Sequence, residues 1–504
     1  MNWSALLAML VDRSLVTRVP PDTTPAAAAT VTGIAYDSRH VEPGRVFVAL
    51  RGLKADGATY ARQAIERGAP VVVSEEQAPG DLADRWVQVS DGRLALALLA
   101  DAFYRHPSGE LRVVGITGTN GKTTTAHLVA SIFEAAGIRC GVLGTVGYRI
   151  GDQVRDAKHT TPEAPEVQEL LREMVDSGCG ACAMEVSSHA LSLRRVDGMT
   201  FAAAVFTNLT RDHLDFHEDM ESYFAAKRRL FEMLGDAPGV INADDPRAGA
   251  LAAVCRRSCT YGIQKPADVR PESLTMDLGG VRFVAATPRG PVPVRSTLVG
   301  RPNVYNLLAA TATAVALDLP ADAVSAGLER LAGVPGRFEV VSDAADAVTV
   351  VVDYAHTDDA LRNLLETARP LTRGRLVTVF GCGGDRDRTK RPLMGMVAAR
   401  LSEVVVITSD NPRSEDPMAI IEEIKRGIPA GEAAASGRTP NVTTVVDRAE
   451  AIARAIGLAR PGDLVLIAGK GHEKTQHVGS RVLAFDDIPV RRVDQLLSTE
   501  TAIS

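Results

Sequence analysis

The sequence lacks the features that mark a nucleic-acid-binding or membrane protein. Its net charge is −6, so there is no excess of basic residues to attract nucleic acid or an anionic membrane surface. No apolar run reaches the roughly eighteen residues that a membrane-spanning helix needs. The apolar start of the chain follows no basic residue and is soon interrupted by Asp12, which is typical of a first helix rather than a signal peptide. We therefore expect a cytoplasmic protein that binds neither nucleic acid nor a membrane.

Cysteine is also scarce, with six residues in 504. Cys179 and Cys182 have the spacing of half a zinc site, but the apolar residues around them predict a buried strand, in which positions i and i+3 face opposite sides. The scattered positions favour reduced, buried thiols over a disulfide framework or a structural zinc site.

The most informative stretch that is present runs from residue 111 to residue 137. Residues 111–117 form an apolar run typical of a strand, and residues 118–124 form a glycine-rich turn with the sequence GTNGKTT. Apolar residues then recur at helical spacing up to Gly137, which is typical of a helix end. A strand, a glycine-rich turn and a helix in this order predict a phosphate-binding loop, in which main-chain N–H groups bind phosphate oxygens.

This loop predicts a nucleoside triphosphate ligand without naming the reaction. Lys122 is expected to reach the outer phosphates, and the Thr123 hydroxyl to ligate the accompanying Mg²⁺. Ile116 stands where the common pattern G-x-x-x-x-G-K-[ST] has its first glycine. An ordinary turn with an exposed Lys122 is therefore the alternative.

The length and the order of strand and helix patterns predict an α/β protein of three domains. Residues 1–107 indicate a small α/β domain, and residues 108–334 a P-loop ATPase-like domain with a parallel sheet. Residues 335–504 alternate strand-type and helical segments, which predicts a second open, Rossmann-like sheet. Its strand-type runs are residues 348–356, 375–385, 403–410 and 463–471.

Several polar residues follow strand-type runs, at the sheet edge where parallel α/β sheets bind ligands. Glu185 ends one run and can ligate Mg²⁺; an exposed glutamate at a strand end is the alternative. His213 and His217 have the i,i+4 spacing of a zinc pair, but no third ligand is evident, so we expect one histidine beside Mg²⁺ and the other in a structural role. Asn303 and Asn306 begin a predicted helix as caps or as contacts to a base.

Residue type alone does not decide the role of two other positions. The segment Asp37–Ser38–Arg39 lies at a strand end and fits either a ligand contact or a structural turn. Lys227 lies in a predicted helix over residues 221–234, where composition favours a solvated lysine.

Nine short motifs occur in order along about 360 residues. They are TGTNGKTT, EVSSHAL, FTNLTRDHLDFH, NVYN, VPGRFE, VDYAHT, FGCGGDRDRTKRPLMG, DNPRSEDP and AGKGHE. Together with the DSR turn near the start, this set resembles the Mur ligase family, the ATP-dependent amino-acid-adding enzymes of bacterial peptidoglycan synthesis. The resemblance implies that the first domain binds a UDP-linked substrate, the second binds ATP and the third binds the incoming amino acid.

The resemblance also implies a role for each residue that matches a family motif. ATP would be bound by Gly118, Thr119, Asn120, Gly121, Lys122, Thr123, Thr124, Asn303, Arg337 and Asp353. Mg²⁺ would be ligated by Thr123, Glu185, His213 and by Lys227 as N6-carboxylysine, the carbamate formed with CO₂. The UDP-muramoyl-dipeptide would be bound by Ser38, Arg39, Thr160, Thr161, Ser187 and Arg195. The amino acid would be bound by Arg386, Asp410, Asn411, Arg413, Gly469 and Glu473. The catalytic set would be Lys122, Lys227, His213, Glu185 and Arg337.

The reaction implied by the resemblance is the ATP-dependent formation of an amide, with release of ADP and phosphate. The γ-carboxylate of D-glutamate in UDP-N-acetylmuramoyl-L-alanyl-D-glutamate would form an acyl phosphate, which an amine would then attack. DNPR at residues 410–413 resembles the branch that adds meso-2,6-diaminopimelate, because Arg413 can bind a distal carboxylate through two hydrogen bonds. An arginine that caps the following helix, residues 416–426, is the alternative. We expect a monomer, with a hinge at residues 334–336.

Other functions remain as alternatives. A lysine-adding ligase of the same family is the nearest, followed by a folylpolyglutamate synthetase-like ligase, against which the GDRDRTKRP and DNPR motifs argue. A P-loop kinase would transfer phosphate to a stable product, and a nucleotide-binding scaffold would need none of the catalytic set. The chain departs from the family pattern at four positions: Leu193 replaces a substrate-contacting glutamine, Pro302 an aromatic residue, Asp358 a proline and Ala58 a histidine.

Overall fold

The structure, a computed structural model, describes residues 1–19, 29–52, 56–277, 279–342, 346–428 and 439–488. Within these ranges the chain forms an α/β fold with three main sheets, each built from a separate stretch of sequence. Apolar side chains are buried on both faces of each of these sheets. The predicted α/β fold is confirmed.

The first sheet is small and lies within residues 16–89. Its strands are β1 (Val16–Arg18), β2 (Gly33–Ala35), β3 (Arg45–Ala49), β4 (Val72–Ser74) and β5 (Trp86–Val89), and its helices are α1 (Trp3–Asp12), α2 (Ala61–Glu66) and α3 (Gly92–Phe103). The strand order is β1-β5-β4-β3-β2, with β1 antiparallel at the edge and the other strands parallel. The predicted first helix is confirmed; Asn2 caps it by accepting a hydrogen bond from the Ser4 N–H.

The central sheet has eight strands. They are β6 (Arg112–Thr117), β7 (Cys140–Leu143), β8 (Tyr148–Ile150), β9 (Gln153–Arg155), β10 (Ala181–Glu185), β11 (Ala203–Phe206), β12 (Gly239–Asn242) and β13 (Ser258–Tyr261). The order is β13-β12-β11-β6-β10-β7-β8-β9, so β6 lies between β11 and β10. Strands β8 and β9 are antiparallel to their neighbours, and the other six are parallel.

Helices pack on both faces of the central sheet. They are α4 (Lys122–Ala135), α5 (Ala164–Asp176), α6 (Ser188–Ser192), α7 (Met220–Glu232), α8 (Ala248–Ala252), α9 (Arg301–Ala316) and α10 (Ala321–Arg330). A three-stranded antiparallel sheet, which the sequence pattern did not predict, precedes α9; its strands are β14 (Arg270–Asp277), β15 (Gly280–Ala286) and β16 (Val292–Ser296). Of the two roles considered for Asn303 and Asn306, the helix cap is wrong, because α9 begins at Arg301 with Gly300 at its N-cap.

The third sheet is the predicted second open α/β sheet. Its strands are β17 (Glu339–Val340), β18 (Thr349–Asp353), β19 (Leu376–Phe380), β20 (Val404–Ile407), β21 (Asn441–Thr444) and β22 (Leu464–Ala468). The helices between them are α11 (Asp358–Ala368), α12 (Lys390–Leu401), α13 (Pro417–Lys425) and α14 (Arg448–Leu458). The order is β17-β18-β22-β19-β20-β21, and all pairs except β17–β18 are parallel.

A short hairpin of β23 (Thr475–Val478) and β24 (Arg481–Ala484) follows the third sheet. The predicted third domain continues to residue 504, but residues 489–504 lie outside the described part of the chain. All six cysteines are free, and Cys255 alone among them is not fully buried. In the described ranges, no helix has the length and apolar content to cross a membrane.

Candidate active site

The predicted phosphate loop lies at the carboxyl end of β6, and α4 begins at Lys122. Two of its glycines are required by space and by backbone conformation. Gly118 has φ +148°, and a Cβ there would lie 1.9 Å from Thr207 Oγ1. Gly121 has φ +85°, and a Cβ there would lie 2.4 Å from Asn306 Oδ1. Any larger residue would therefore displace the loop from its neighbours.

The residues that follow β11 hold the loop in place. The main-chain N–H groups of Thr119 and Asn120 donate to the main-chain oxygen and to Oδ1 of Asn208, both at 2.9 Å. The Thr207 hydroxyl donates to the Asn120 carbonyl oxygen at 2.6 Å. Because these bonds join the loop's main chain to Thr207 and Asn208, they hold the loop against the carboxyl end of β11.

Two lysines, the half-buried Lys122 and the buried Lys227, converge on one carbonyl oxygen of this loop. Lys122 Nζ donates to the Gly118 and Thr119 carbonyls at 3.0 and 2.8 Å, and Lys227 Nζ donates to the Gly118 carbonyl at 2.9 Å. Lys227 is 1 % exposed and lies 4.4 Å from the centre of the Tyr223 ring. The expectation of a solvated Lys227 is therefore wrong.

The pKa values of both lysines lie below those of ordinary surface amines. Burial lowers the pKa of Lys122 and, with help from the adjacent Lys122 charge, lowers the pKa of Lys227 well below its ordinary value. In the described part of the chain, neither lysine forms an ion pair with a carboxylate. A buried cation without a paired anion is costly, which favours the neutral amine at Lys227.

Glu185 and His213 flank the lysines. Glu185 ends β10, is 1 % exposed and accepts hydrogen bonds from the Thr145 N–H at 2.8 Å and its hydroxyl at 3.1 Å. Partial burial lowers the pKa of His213 to about 3, so its ring is neutral near pH 7 and has a lone pair to offer. His217 is buried, with Nε2 at 2.9 Å from Ser188 Oγ. Nowhere in the described ranges are three or more His, Cys, Asp or Glu side chains grouped to hold a metal ion by themselves.

Residues that begin the third sheet reach across to the phosphate loop. Arg337 Nη2 donates to Thr123 Oγ1 at 3.0 Å, and the Arg337 guanidinium lies 4.7 Å from the centre of the Tyr354 ring. Asn120 Nδ2 donates to Asp359 Oδ2 at 2.9 Å. Asp353 ends β18 and accepts from two main-chain N–H groups, and burial raises its pKa.

A cleft of about 1300 Å³ runs between the central and third sheets. All predicted ATP-binding residues except Gly118 line it, as do Thr160, Ser187, Glu185, His213 and Lys227. The structure therefore brings the predicted phosphate and metal residues to one cavity, together with two of the residues predicted to bind the muramoyl-dipeptide, Thr160 and Ser187.

The residues predicted to bind the muramoyl-dipeptide lie in two places. Thr161 Oγ1 donates to the Glu185 carbonyl at 2.9 Å and accepts from the Ser187 N–H at 3.1 Å, and Arg195 Nη1 donates to the Thr161 carbonyl at 2.9 Å. Thr160 joins this group through a 3.0 Å contact of its hydroxyl with that of Thr145. Ser38 and Arg39 lie instead in the first sheet's unit: Ser38 donates to Gln63, and Arg39 pairs with Asp37.

The residues predicted to bind the amino acid form a separate cluster around the carboxyl ends of β19, β20 and β22. Asn411 Nδ2 donates to Glu473 Oε2 at 2.9 Å, and a Cβ on Gly469 would lie 2.6 Å from Asp410 Oδ2. A Cβ on Gly383 would lie 3.0 Å from Arg413 Nη1 and 3.8 Å from Arg386 Cγ. All six predicted residues are therefore together, outside the lining of the large cleft.

Arg413 does not cap the next helix. Asp416 occupies the N-cap of α13 and accepts from the Met418 and Ala419 N–H groups. Arg413 has φ +51°, and its Nη1 donates to the Gly384 carbonyl at 2.7 Å. Burial, reinforced by the charge of Arg386, lowers the pKa of Arg413, which indicates a guanidinium held where an anion is favoured.

Sequence reasoning missed three residues that position this machinery. Thr145 holds the Glu185 carboxylate, Asn208 holds the phosphate loop, and Lys470 joins Asn411 to Glu473. Asn208 and Lys470 lie inside the motifs FTNLTRDHLDFH and AGKGHE, so those motifs carried a signal for them.

Family models match three parts of the chain. Residues 30–104 match the model described as Mur ligase family, catalytic domain, residues 116–314 the Mur ligase middle domain, and residues 336–471 the Mur ligase glutamate ligase domain. A protein from Solibacter usitatus named UDP-N-acetylmuramoyl-L-alanyl-D-glutamate–2,6-diaminopimelate ligase is 49% identical over 482 residues, covering 94% of this chain and 96% of its own. The chain belongs to the Mur ligase family.

Solved structures agree with this membership of the Mur ligase family. A structure carrying the same ligase name matches with a TM-score of 0.68 and 34% identity, covering 99% of both chains. Folylpolyglutamate synthase of Mycobacterium tuberculosis, complexed with ADP and AMPPCP, matches with a TM-score of 0.61 and 18% identity, covering 75% of this chain and 92% of its own. At that identity, the likeness to the synthase is one of fold alone.

Proposed function

We propose that this protein joins meso-2,6-diaminopimelate to the D-glutamate γ-carboxylate of UDP-N-acetylmuramoyl-L-alanyl-D-glutamate, with ATP as the energy source. The observation that carries most weight is the 3.0 Å hydrogen bond between Arg337 and the phosphate-loop Thr123. It joins the ATP half of the cleft to the unit that bears the amino-acid cluster. The name of the 49% identical relative supports the same substrates.

The first step is the attack of a carboxylate on the γ-phosphate of ATP, which forms an acyl phosphate and ADP. Both reactants are anions, so positive groups must offset their repulsion. Lys122 at the loop and Arg337 opposite it supply such charge in the cleft. The amine of the incoming amino acid then attacks the acyl carbon, the amide bond forms and phosphate leaves.

The residues around the loop fit Mg²⁺. The Thr123 hydroxyl and the Glu185 carboxylate are hard oxygen donors on the same cleft, and His213 is neutral. Mg²⁺ commonly takes only one or two protein oxygens and completes its shell with substrate phosphates and water, so a larger protein ligand group is not required. The ion would supply further positive charge to the phosphates. The chain's own part is to hold these donors still, as Thr145 does for Glu185.

We assign N6-carboxylysine to Lys227. A neutral buried amine can attack CO₂, forming an N–C bond and releasing one proton, whereas a protonated amine cannot. The depressed pKa of Lys227 and its position beside Gly118 favour this chemistry. The product would be an anion in the cleft that Thr123, Glu185 and His213 also line, so the modification would turn a neutral buried amine into an anionic ligand.

Each of the three segments of the chain has its own substrate. We propose that residues 1–107 bind the UDP part through Ser38 and Arg39, that residues 108–334 bind ATP and the dipeptide, and that residues 335–504 bind diaminopimelate. Arg413 with Asn411 would take the distal carboxylate of diaminopimelate, and Asp410 with Glu473 its ammonium group. We further propose a monomer that acts in the bacterial cytoplasm, in cell-wall synthesis.

A phosphate-release assay with each substrate omitted in turn tests the proposal. We expect free phosphate only when ATP, Mg²⁺, the UDP-muramoyl-dipeptide and diaminopimelate are all present, together with one new amide per ATP consumed. Phosphate transferred to a stable acceptor without an amine would indicate a kinase. Equal turnover of a folate substrate with glutamate would indicate the folylpolyglutamate class.

A further inference from the structure

A fully buried lysine, Lys470, lies inside the amino-acid cluster and has no role in the function proposed above. It follows β22 by two residues, and its side chain is 0 % exposed. Its Nζ lies 3.2 Å from Asn411 Oδ1 and 3.1 Å from Glu473 Oε2. One cation therefore contacts two residues that we assign to diaminopimelate.

The contacts of Lys470 determine which way the Asn411 amide points. Asn411 Oδ1 is approached by Lys470 Nζ and, at 3.0 Å, by the His477 main-chain N–H. Both groups can only donate, so the oxygen must face them. The amide nitrogen then faces Glu473 Oε2 at 2.9 Å and keeps a second hydrogen for another acceptor.

Lys470 also sets the charge of Glu473. Burial opposes ionisation of this carboxyl, but Lys470, with the Asn411 hydrogen bond, holds its pKa below the ordinary value. Glu473 is therefore an anion, and its other oxygen can accept from an ammonium group.

We propose that Lys470 is a positioning residue for the amino-acid site, which fixes the Asn411 amide and keeps Glu473 anionic so that together they bind a zwitterionic end of the substrate. This inference rests on the proposed function. Arg413 makes no contact with Lys470 among its described hydrogen bonds: its N–H donates to the His477 carbonyl at 3.0 Å, and its carbonyl accepts from the Gly479 N–H at 2.7 Å. Substitution of Lys470 should therefore weaken amino-acid binding while the guanidinium of Arg413 stays in place.

The test is the steady-state kinetics of Lys470→Met with each substrate varied in turn. We expect KM for diaminopimelate to rise roughly ten- to a hundredfold, the range for losing charge-assisted hydrogen bonds. KM for ATP and for the UDP-muramoyl-dipeptide should stay within about twofold, because the phosphate loop lies in a different unit. Lys474→Met is the matched control: Lys474 is 60 % exposed and pairs with Asp486, so all three constants should be unchanged.

The double variant Lys470→Met/Glu473→Gln removes both charges and avoids leaving a buried carboxylate unpaired. Effects within one network do not add. If Lys470 acts through Glu473, we therefore expect KM for diaminopimelate in the double variant to lie within about threefold of its value in Glu473→Gln. It also serves as the folded comparison if Lys470→Met is unstable.

Three results overturn the inference. An unchanged KM for diaminopimelate in Lys470→Met contradicts the positioning role of Lys470 and leaves the proposed function intact. A parallel rise in all three constants, with a lower melting temperature, assigns Lys470 a purely structural role. A wild-type protein that uses no amino acid contradicts the proposed function, and the inference falls with it.

Discussion

The two substrate clusters differ in the groups that their lysine amines contact. At the phosphate loop, Lys122 and Lys227 donate only to main-chain carbonyls among their described hydrogen-bond partners. In the amino-acid cluster, Lys470 donates to a carboxylate and to an amide oxygen. The first arrangement is under-compensated and favours a polyanion such as a triphosphate. In the second arrangement the charge of Lys470 is already balanced by Glu473, which favours a ligand that carries both a positive and a negative charge.

The largest effect is expected when the Lys122 charge at the phosphate loop is removed. For Lys122→Ala we expect kcat/KM for ATP-dependent ligation to fall by at least roughly 10³-fold, because a preorganised charge at the phosphates is lost. Circular dichroism and the melting temperature should show an intact fold. Lys425→Ala is the control, since Lys425 is 43 % exposed and pairs with Glu422. Near-normal turnover of Lys122→Ala would refute the phosphate-loop assignment.

Lys227 sharpens the comparison, because there the proposed modification turns an amine that burial keeps neutral into an anion. Lys227→Ala should lose roughly 10²-fold in kcat, and a short carboxylate such as acetate should restore part of it by taking the place of the carbamate. Lys227→Arg should also be inactive, because a guanidinium does not form the carbamate. Arg228→Ala, on the same helix and half exposed beside Glu232, should behave as wild type. A fully active Lys227→Arg enzyme would rule the carbamate out.

The parts of the fold and of the site that depend on contiguous residues were predictable from the sequence. The phosphate loop was predicted because its strand, glycines and helix are contiguous. The four predicted strands of the third sheet were recovered as β18, β19, β20 and β22, since buried parallel strands are continuous apolar runs. These strands end earlier than the predicted runs. Among the excess residues, Asp410 after β20 and Gly469 after β22 belong to the amino-acid cluster, whereas residues 354–356 after β18 line the large cleft.

The burial of Lys227 shows why other parts could not be predicted. Tyr223, Leu230 and Phe231 are buried on α7, and residue 227 falls on the same face at helical spacing. Periodicity therefore indicated a buried position, while the charge of lysine indicated a solvated one, and only tertiary contacts decide between them. The hairpin of β23 and β24 escaped prediction because each of its strands has only four residues.

Arg413 is the third test of the comparison and has the smallest expected effect. Arg413→Ala should raise KM for diaminopimelate roughly ten- to a hundredfold, because two hydrogen bonds to its distal carboxylate are lost. KM for ATP should not change. Arg388→Ala provides the control, because Arg388 is 62 % exposed and pairs with Glu423 in the same unit. If KM for diaminopimelate is unaffected, the selecting group lies elsewhere in the cluster.

The central claim is that the amino-acid cluster selects a doubly acidic amine through the Arg413 guanidinium. The ratio of kcat/KM for diaminopimelate to that for lysine measures this selection directly. Lysine lacks the distal carboxylate and would leave Arg413 unpaired, so we expect the wild-type ratio to approach roughly 10⁴ and to fall by at least about tenfold in Arg413→Ala. A wild-type enzyme that joins lysine as readily as diaminopimelate would contradict the account.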